Sequence, residues 1–376
     1  MTLLRTISHT VLIIILFIGF VLAEENTVYG FITDEKSGEA LIGANVFIQE
    51  TGVGMATDFN GYYVLQGIPN GRYTIMVSYV GYQVFRKTIE LDASESLKLD
   101  IQLLEELLEL NEVDVTAEKI QRKYNIQPSK INLSPRMMKS APALAEPDLF
   151  RTIQALPGVL TTSEYSTGLV IRGGNTDQNL IMLDGITVYN PSHLGGVFSN
   201  FIVDGVKEAE LIKGAYNAEY GGRLSAVLNV LSREGNKNEF KGKANLSLLS
   251  AQTTLEGPFY KGAWIISGRR TYFDVLLPKV LPEKTAANIP PYYFYDIQGH
   301  IFTDLTSKDR LSVSYYSGID DIIFDTFGLD GRWGNNTIST HYRRIFNEKL
   351  VGNFLAANSK FFTEFGLGGS GGLVSY

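Results

Sequence analysis

The sequence of 376 residues contains no cysteine. This excludes disulfide scaffolds, thiolate metal sites, cysteine nucleophiles and a lipid-modified N-terminal cysteine. Histidine is scarce, with four in the whole chain, so a histidine-built metal centre is not expected and we predict no cofactor. Basic residues are also too few, because 33 Lys and Arg against 40 Asp and Glu give a net charge of −7. Nucleic-acid-binding proteins usually carry a basic excess, so nucleic acid is not an expected partner.

Long apolar runs are rare, and the longest lies at the N-terminus. Arg5 precedes an apolar stretch over residues 11–22, which ends with Ala23 before two glutamates. The stretch is shorter than the ~20 residues of a spanning helix and has the length of a signal-peptide core. We predict that residues 1–23 are a cleaved signal peptide, with an uncleaved anchor as the alternative. The mature chain would then be exported, and any membrane spanning would fall to β-strands.

Residues 24–104 contain β-rich stretches separated by turn signals about every 8–12 residues, which predicts a small antiparallel sandwich. The predicted strands cover residues 28–32, 44–48, 62–65, 73–79, 84–91 and 97–103. The segment resembles the carboxypeptidase-regulatory-like domain, a transthyretin-type sandwich, through residues 43–46 (GANV), 61–63 (GYY) and 78–82 (SYVGY). Since residues 27–104 contain neither His nor Cys, no catalytic zinc site is expected there.

Residues 105–134 form a polar linker that includes a short alternating apolar segment. Its members are Val113, Asp114, Val115, Thr116 and Ala117. Such a segment can add as a strand to the edge of a partner's sheet. Its position resembles the TonB box, the energy-coupling motif that lies between this kind of N-terminal domain and a plug domain. The resemblance implies that these five residues contact TonB, with an ordinary linker strand as the alternative.

Residues 135–235 form a mixed unit with one predicted helix over residues 146–156 and strands over 169–172, 179–183, 208–213 and 226–231. Their sequence resembles the plug domain of TonB-dependent outer-membrane receptors. The resemblance rests on residues 156–159 (LPGV), 171–174 (IRGG), 177–185 (DQNLIMLDG), 206–214 (VKEAELIKG) and 219–230 (EYGGRLSAVLNV), which occur in the order of the family.

The plug motif residues carried over from this resemblance are Arg172, Gly173, Gly174, Asp184, Gly185, Gly221, Gly222 and Arg223. We expect Asp184 and Gly185 to form a hairpin turn. Charge pairing within the structure is the expected role of the three charged residues. Residues 189–198 form a polar, glycine-rich loop, and plug loops of the resembled family face outward and help to bind substrate. We therefore predict that Tyr189, Asn190 and His193 face a ligand, with a plain surface loop as the alternative.

Residues 236–376 alternate between apolar and polar side chains, as Tyr293, Tyr295 and Ile297 do with Asp296 and Gln298. After a plug domain, this alternation predicts strands of a transmembrane β-barrel, which are apolar toward lipid and polar toward the lumen. Phe294 and Phe302 break the alternation. The fold class is therefore mainly β: a transthyretin-like sandwich, an α+β plug and the first strands of an incomplete barrel.

The length of this last segment sets its strand number. A spanning strand takes about 9–11 residues, so roughly five or six strands fit, whereas a plugged transporter barrel has about 22. An open sheet edge in lipid leaves backbone groups unpaired, at a cost of several kcal/mol each. We therefore expect the sequence to be a fragment of a longer receptor, or the product of a broken reading frame.

The resemblance implies a TonB-dependent receptor in the outer membrane that imports a ligand by remodelling its plug. Expected partners are TonB of the inner-membrane energy-coupling complex and the lipids of the outer membrane. A surface lipoprotein is a further candidate partner, because related glycan importers pair with one. The alternative function is an outer-membrane signal transducer or a binding scaffold without transport. Neither a Ser/His/Asp grouping nor a His-Glu-x-x-His motif is evident, so we predict no enzyme activity.

Overall fold

The computed structural model describes residues 26–58, 60–92, 96–106, 130–141, 146–163, 166–286, 290–324, 329–347, 350–367 and 372–375. The described residues separate into two compact units. One comprises residues 26–35 and 40–106, and the other comprises residues 36–39 and everything described from residue 130 onward. The predicted signal peptide and Val113–Ala117 lie outside the described residues.

The first unit is a two-sheet sandwich of eight short strands. They are β1 (Asn26–Asp34), β2 (Asn45–Ile48), β3 (Gly54–Ala56), β4 (Tyr62–Ile68), β5 (Gly71–Ser78), β6 (Phe85–Leu91), β7 (Ser96–Lys98) and β8 (Ile101–Leu103). One sheet has the order β4-β1-β7, with β8 also on β1, and the other has the order β3-β2-β5-β6. The side chains of Val28, Ile32, Ile75 and Val77 fill a common apolar core with those of the other inward positions.

The sandwich prediction needs two corrections. The predicted strand over residues 97–103 is divided into β7 and β8, and both pair with β1 in parallel. The sandwich is therefore mixed, not antiparallel throughout. Pairing between β1 and strands about 70 residues later brings distant segments together, and local turn signals carry no information about it.

The plug region (residues 130–235) is built on a five-stranded mixed sheet. Its elements are β9 (Lys130–Leu133), α1 (Pro135–Ser140), α2 (Leu149–Gln154), β10 (Val159–Thr161), β11 (Leu169–Ile171), β12 (Leu180–Leu183), β13 (Ile186–Thr187), β14 (Ser192–His193), β15 (Phe198–Ser199), β16 (Val206–Ile212) and β17 (Val227–Ser232), with 3-10 turns at Thr176–Gln178 and Val203–Gly205. The sheet order is β13-β12-β17-β16-β9. The strands and helices enclose one apolar core.

Helix α2 is shorter than the predicted segment of residues 146–156. The Asp148 carboxylate caps it, because Oδ1 accepts the backbone N–H groups of Phe150 and Arg151 at 2.8 and 3.1 Å. Such a cap satisfies N–H groups that have no partner inside the helix, so the helix begins after Asp148. Leu149, Phe150 and Ile153 are buried on its inner face.

The long-stranded sheet (residues 241–375) contains eight antiparallel strands in chain order. They are β18 (Lys241–Leu246), β19 (Ser250–Phe259), β20 (Gly262–Thr271), β21 (Tyr292–Asp304), β22 (Asp309–Phe324), β23 (Leu329–Asn347), β24 (Leu350–Leu367) and β25 (Gly372–Ser375). Two short helices, α3 (Phe273–Val280) and α4 (Glu283–Ala286), lie between β20 and β21. Six of these strands, β19 to β24, have ten or more residues, which agrees with the expected five or six strands of spanning length, whereas β18 and β25 have six and four residues.

The two sides of the long-stranded sheet differ in the way that the alternation predicts. On β21, Asp296 and Gln298 are buried on the side that contacts the plug region, whereas Ile297 on the other side is 40% exposed. The apolar side chains are thus outside and the polar ones inside, the arrangement of a sheet that faces lipid. No helix within the described residues is both long and apolar enough to cross a membrane.

Candidate functional site

Arg172, Gly173 and Gly174 form a tight turn after β11. Arg172 and Gly173 have φ values of +49° and +82°, and the Arg172 N–H donates to the Gly158 carbonyl at 3.1 Å. A Cβ at position 174 would lie 2.4 Å from Ser225 Oγ, so the close approach requires glycine. The Arg172 side chain is exposed and makes no ion pair with the described residues. The turn directs the side chain to solvent, and the predicted charge pair for Arg172 stays a prediction.

Asp184 and Gly185 connect β12 to β13 as the predicted hairpin. Both have positive φ, +49° and +79°, as a two-residue turn with the twist of the flanking strands requires. The Asp184 carboxylate accepts the Ser232 backbone N–H at 2.8 Å and the Ser232 hydroxyl at 2.7 Å. Asp184 thus ties the hairpin to β17 by hydrogen bonds, and the expected charge pair is not its role.

Gly221, Gly222 and Arg223 precede β17. Gly222 has a φ of +80°, and Arg223 Nη1 donates to the Gly222 carbonyl at 3.0 Å. The Tyr216 hydroxyl donates to the Arg223 carbonyl. Arg223 makes no ion pair among the described residues, so its predicted charge pair is also absent there. Its side chain lines a cavity instead.

This polar cavity of about 390 Å³ lies in the plug region. It contains three of the predicted site residues, Tyr189, Asn190 and Arg223. The other polar residues that line it are Thr162, Ser166, Thr167, Thr176, Asp177, Asn179 and Ser192. Hydroxyl, amide and charged groups of this kind can orient a polar ligand by hydrogen bonds. The cavity is the candidate ligand site, and Arg172, Asp184 and His193 do not line it.

The three residues of the predicted ligand-facing loop occupy different environments. Tyr189 is 57% exposed. The Asn190 carbonyl accepts hydrogen bonds from Asn200 Nδ2 at 2.9 Å and from Asn335 Nδ2 of β23 at 2.7 Å. His193 is 0% exposed. The outward-facing prediction stays open for Tyr189 and Asn190, but the enclosed His193 side chain does not face a ligand in this conformation.

His193 lies between two strands of the long-stranded sheet. Its Nε2 is 2.8 Å from Asp296 Oδ1 on β21, and its Nδ1 is 2.8 Å from Asp320 Oδ2 on β22. The imidazole stacks on the Phe294 ring with the ring centres 4.0 Å apart. Burial by itself lowers the pKa of His193, but the Asp296 charge and the hydrogen bonds to Asp296 and Asp320 outweigh it, and the pKa is raised.

Arg269 on β20 continues this buried group of charges. Its Nη1 donates to Glu146 Oε1 at 2.8 Å, and its Nε donates to Asp296 Oδ2 at 2.8 Å. Its Nη2 donates to the Ser199 carbonyl at 2.6 Å. One guanidinium therefore joins three segments, since Glu146 and Ser199 belong to the plug region and Asp296 to β21. We call Glu146, His193, Arg269, Asp296 and Asp320 the buried ion cluster.

A second group of contacts surrounds Asp204 of the plug region. Its carboxylate accepts from Lys139 at 2.6 Å, from Lys243 of β18 at 2.7 Å and from Asn245 at 2.7 Å. Burial by itself raises the pKa of Asp204, but the hydrogen bonds from Lys139 and Lys243 dominate and lower it. Asp204 therefore stays ionised, and its ion pair with Lys243 is a second connection between the plug region and the sheet.

Sequence reasoning missed the buried ion cluster except for His193. The available signal was the presence of Arg269, Asp296 and Asp320 at polar positions of strands, where a soluble sheet would place them in water. Within the part of the chain that the structure describes, no group of three His, Cys, Asp or Glu side chains could hold a metal ion. The acids of the cluster are already paired with cationic and hydroxyl donors. Contacts of this kind hold the plug region to the sheet.

Two family descriptions match the chain. Residues 28–115 match the CarboxypepD_reg-like domain, and residues 136–227 match the TonB-dependent Receptor Plug Domain. The first corresponds to the sandwich, and the second covers most of the plug region, including α1 and both hairpin strands around Asp184.

Two relatives are similar to more than half of the chain. TonB-dependent receptor SusC of Bacteroides thetaiotaomicron is 26% identical over 226 residues, covering 57% of this chain and 22% of the relative. TonB-dependent receptor P26 of Formosa agariphila is 29% identical over 218 residues, covering 54% of this chain and 20% of the relative. The chain thus spans about a fifth of the length of either relative.

Among solved structures, the siderophore receptor PirA of Pseudomonas aeruginosa aligns with a TM-score of 0.46 and 15% identity, covering 63% of this chain and 40% of that one. The Serratia marcescens hemophore receptor HasR aligns with a TM-score of 0.49 and 12% identity, covering 66% and 40%. The two matched domains stand in the order of the family on one chain, followed by a sheet whose polar side contacts the plug region. The chain thus carries a region that matches the CarboxypepD_reg-like domain, followed by a region that matches the TonB-dependent Receptor Plug Domain, and the relatives it resembles are TonB-dependent receptors.

Proposed function

We propose that this chain is part of an outer-membrane receptor that imports a ligand with energy delivered through TonB. The observation that carries the proposal is the sidedness of the long-stranded sheet. Its buried side is polar and contacts the plug region, while residues such as Ile297, Ile338 and Phe354 expose apolar side chains on the other side. A surface of this kind is stable against lipid and costly in water. Outer-membrane lipids are therefore the proposed surroundings of that face, after export by the signal peptide of residues 1–23.

TonB is the proposed energy-coupling partner, and the proposed contact is residues 113–117. Their alternating apolar pattern suits addition to a sheet edge, where backbone hydrogen bonds provide the affinity and alternate side chains the specificity. Ligand bound at the polar cavity and TonB bound at this segment would then act on the same plug region. The plug region contacts the sheet through polar groups around His193, Arg269 and Asp204. Such contacts suit a domain that must be remodelled, because each hydrogen bond can be replaced by one to water.

The proposed cargo is a polar molecule, because hydroxyl, amide and charged groups line the cavity. SusC, PirA and HasR are receptors of different kinds by their names, and they leave the identity of this cargo open. A surface lipoprotein partner stays a prediction from the sequence.

The test uses the absence of cysteine from the 376 residues, which makes an introduced thiol unique within them. Single cysteines at positions 113 to 117 would be expressed in the native gene, with cysteines placed in the periplasmic domain of TonB. If the segment adds as a strand, disulfide cross-links should form most strongly at alternate positions. Ser129→Cys, outside the segment, is the matched control and should cross-link weakly.

Deletion of residues 113–117 provides the functional readout. A strain that lacks the gene would be screened for nutrients that it no longer uses, and the intact gene should restore that growth while the deletion does not. Fractionation with an antibody against residues 135–235 should detect the product in the outer membrane. Full growth with the deletion, or a product found only in the periplasm, would contradict the proposal.

A further inference from the structure

The two ring nitrogens of His193 have partners of the same kind. Nδ1 and Nε2 each lie 2.8 Å from a carboxylate oxygen, one of Asp320 and one of Asp296. A neutral imidazole has one N–H donor and one bare nitrogen that only accepts, whereas an imidazolium donates from both. A bare nitrogen at 2.8 Å from a carboxylate would place two lone pairs against each other. The geometry therefore requires the imidazolium, or else a proton on one carboxylate.

The other contacts of the two carboxylates favour the imidazolium. Asp296 also accepts from Arg269 Nε at 2.8 Å and from the Tyr316 hydroxyl at 2.9 Å. Asp320 also accepts from the Leu194 N–H at 3.0 Å and from the Tyr292 hydroxyl. Every neighbour of these oxygens is a donor, and donors stabilise the ionised carboxylate. Two ionised acids then leave His193 as the group that carries the proton.

The charges around His193 come from three strands of the sheet and from the plug region. Asp296 and Tyr292 lie on β21, Asp320 and Tyr316 on β22, and Arg269 on β20. Glu146 of the plug region pairs with Arg269 at 2.8 Å. The buried Asp148 carboxylate of the plug region also acts on Arg269. Without a charge on His193, this buried group would hold four acids against one guanidinium. An imidazolium reduces that excess from three negative charges to two, and burial makes such an excess costly.

The loop that carries His193 also forms part of the polar cavity. Tyr189, Asn190, Ser192, Gly195 and Gly196 all line it. The Leu194 N–H on the same loop reaches Asp320, so two successive residues are fixed to β22. Whatever holds His193 therefore sets the position of one wall of the cavity.

We propose that His193 is a positioning residue: a doubly donating imidazolium that fastens the loop of residues 189–199 to β21 and β22 and so holds one wall of the polar cavity. These contacts of His193 would hold the loop whether or not the protein transports a ligand or binds TonB. They make the cavity sensitive to pH, since loss of one proton removes a hydrogen bond and exposes the Asp296 and Asp320 charges to each other.

The direction of the pH effect follows from the raised pKa of His193. A group whose pKa is higher in the folded state stabilises that state fully below its ordinary value of about 6.5. The stabilisation is lost as the pH rises through the higher folded value. The loop should therefore be held in place below about pH 6.5 and should loosen as the pH rises through the higher pKa of the folded state.

Nitrogen NMR on the native gene product in outer-membrane vesicles tests the protonation state. The chain has four histidines in all, so His193→Gln assigns the signal. His341→Gln is the matched control, since His341 Nε2 lies 3.2 Å from the backbone carbonyl of Asp184. At about pH 6.5, the ordinary pKa of the side chain, we expect both nitrogens of His193 to be protonated, and in Asp320→Asn we expect them to titrate at lower pH. A bare nitrogen under these conditions would overturn the proposal.

Thiol labelling tests the fastening itself. Ser199→Cys places a reporter on the buried strand β15, at a hydroxyl without a hydrogen-bond partner among the described residues. Adding His193→Gln should speed labelling of the thiol at position 199 by a water-soluble maleimide roughly tenfold or more at the same pH. The reason is that weakening the loop's attachment by about 1.4 kcal/mol raises the population of the opened loop tenfold. A companion reporter, Ala209→Cys on the buried side of β16 in the plug region, should not change. Equal labelling with and without His193 would overturn the fastening role.

The two tests also separate this proposal from the proposed function. If His193→Gln unfolds the protein, both reporters will label quickly, and Asp320→Asn then decides the matter with the same NMR and labelling measurements. Failure of TonB cross-linking would leave the NMR result unchanged, because that result depends on the cluster alone.

Discussion

The sandwich and the long-stranded sheet use the same alternation of side chains with opposite results. On β6 of the sandwich, Ile89 and Leu91 are buried while Thr88 and Glu90 are exposed. On β21 of the sheet, Asp296 and Gln298 are buried while the intervening Ile297 is exposed. Alternation of side chains with a period of two shows only that the two faces of a strand differ. The surroundings decide which face is buried, and here they are water for one region and, by our proposal, lipid for the other.

The contents of the two interiors differ accordingly. The sandwich interior is an apolar core, stabilised by removal of hydrocarbon from water. The interior side of the sheet carries ions, hydroxyls and amides that pair with the plug region. The first kind of interior is fixed by shape and volume, and the second by the completeness of its hydrogen bonds.

The largest effect should come from breaking the buried ion cluster. Arg269→Leu leaves Glu146 buried without its cation and leaves Asp296 with His193 alone, and breaking a buried ion pair in this way typically costs about 3–5 kcal/mol. The neighbouring Arg270→Leu is a matched control, because Arg270 is exposed on the opposite face and pairs only with Asp274 among the described acids. Urea-dependent proteolysis of the plug region would measure the difference. Equal sensitivity of the two variants would contradict the importance of the cluster.

Truncation in the sandwich core should have the next largest effect. Ile75 is completely buried, and Ile75→Ala should cost about 2–5 kcal/mol through lost burial and the cavity left behind. The exposed Thr88→Ala on the paired strand should change stability by less than about 0.5 kcal/mol. Hydrogen exchange of the sandwich amides in the whole protein would report both. The comparison would fail if Ile75→Ala were as mild as Thr88→Ala.

A charge on the exposed apolar face should have a cost that depends on the surroundings. Ile297→Lys should cost about 2–4 kcal/mol near the middle of a bilayer and about 0–1 kcal/mol near its interface. Thr88→Lys, on the exposed face of the sandwich, should have little effect in any medium. Unfolding titrations in lipid vesicles and in detergent would compare the two variants. No added cost for Ile297→Lys in lipid would contradict the assignment of that face to the membrane.

The smallest effect should come from one hydrogen bond within the apolar core. The Tyr63 hydroxyl donates to the Leu99 carbonyl at 2.7 Å, and burial raises the pKa of Tyr63, so the hydroxyl keeps its proton. Tyr63→Phe should cost about 1 kcal/mol. Tyr73→Phe is the control, because the Tyr73 hydroxyl makes no hydrogen bond among the described residues. Thermal melting of the sandwich would give the difference, and an equal effect of both variants would contradict this account.

The sequence predicted those parts of the structure that depend on neighbouring residues. The hairpin at Asp184 and Gly185, the inner face of α2 and the alternation on β21 follow from local turn chemistry and from periodicity. Strand β9 was missed, because Lys130–Leu133 is a strand only through its pairing with β16. The parallel pairing of β1 was missed for the same reason.

The candidate site was only partly predictable. The predicted loop does contribute Tyr189 and Asn190 to the cavity, but burial of His193 depends on acids more than 100 residues away. Phe294 and Phe302 looked like exceptions to the alternation. In the structure, the rings of Phe294 and Phe302 lie beside the guanidinium groups of Arg269 and Arg310 at 5.0 and 4.4 Å. Aromatic rings that contact cations belong on a polar face, which the alternation rule does not include.

The position of β9 at the edge of the plug sheet has a mechanical consequence. This strand of four residues pairs only with β16 among the described strands, so a force applied from its N-terminal side acts first on Lys130. A transverse force would break the ladder one hydrogen bond at a time, at about 1 kcal/mol each. Leu133, completely buried at the far end, adds roughly 2–3 kcal/mol to the last step of this separation. Strand β9 can thus detach as a unit, and the remaining four strands keep their own pairing.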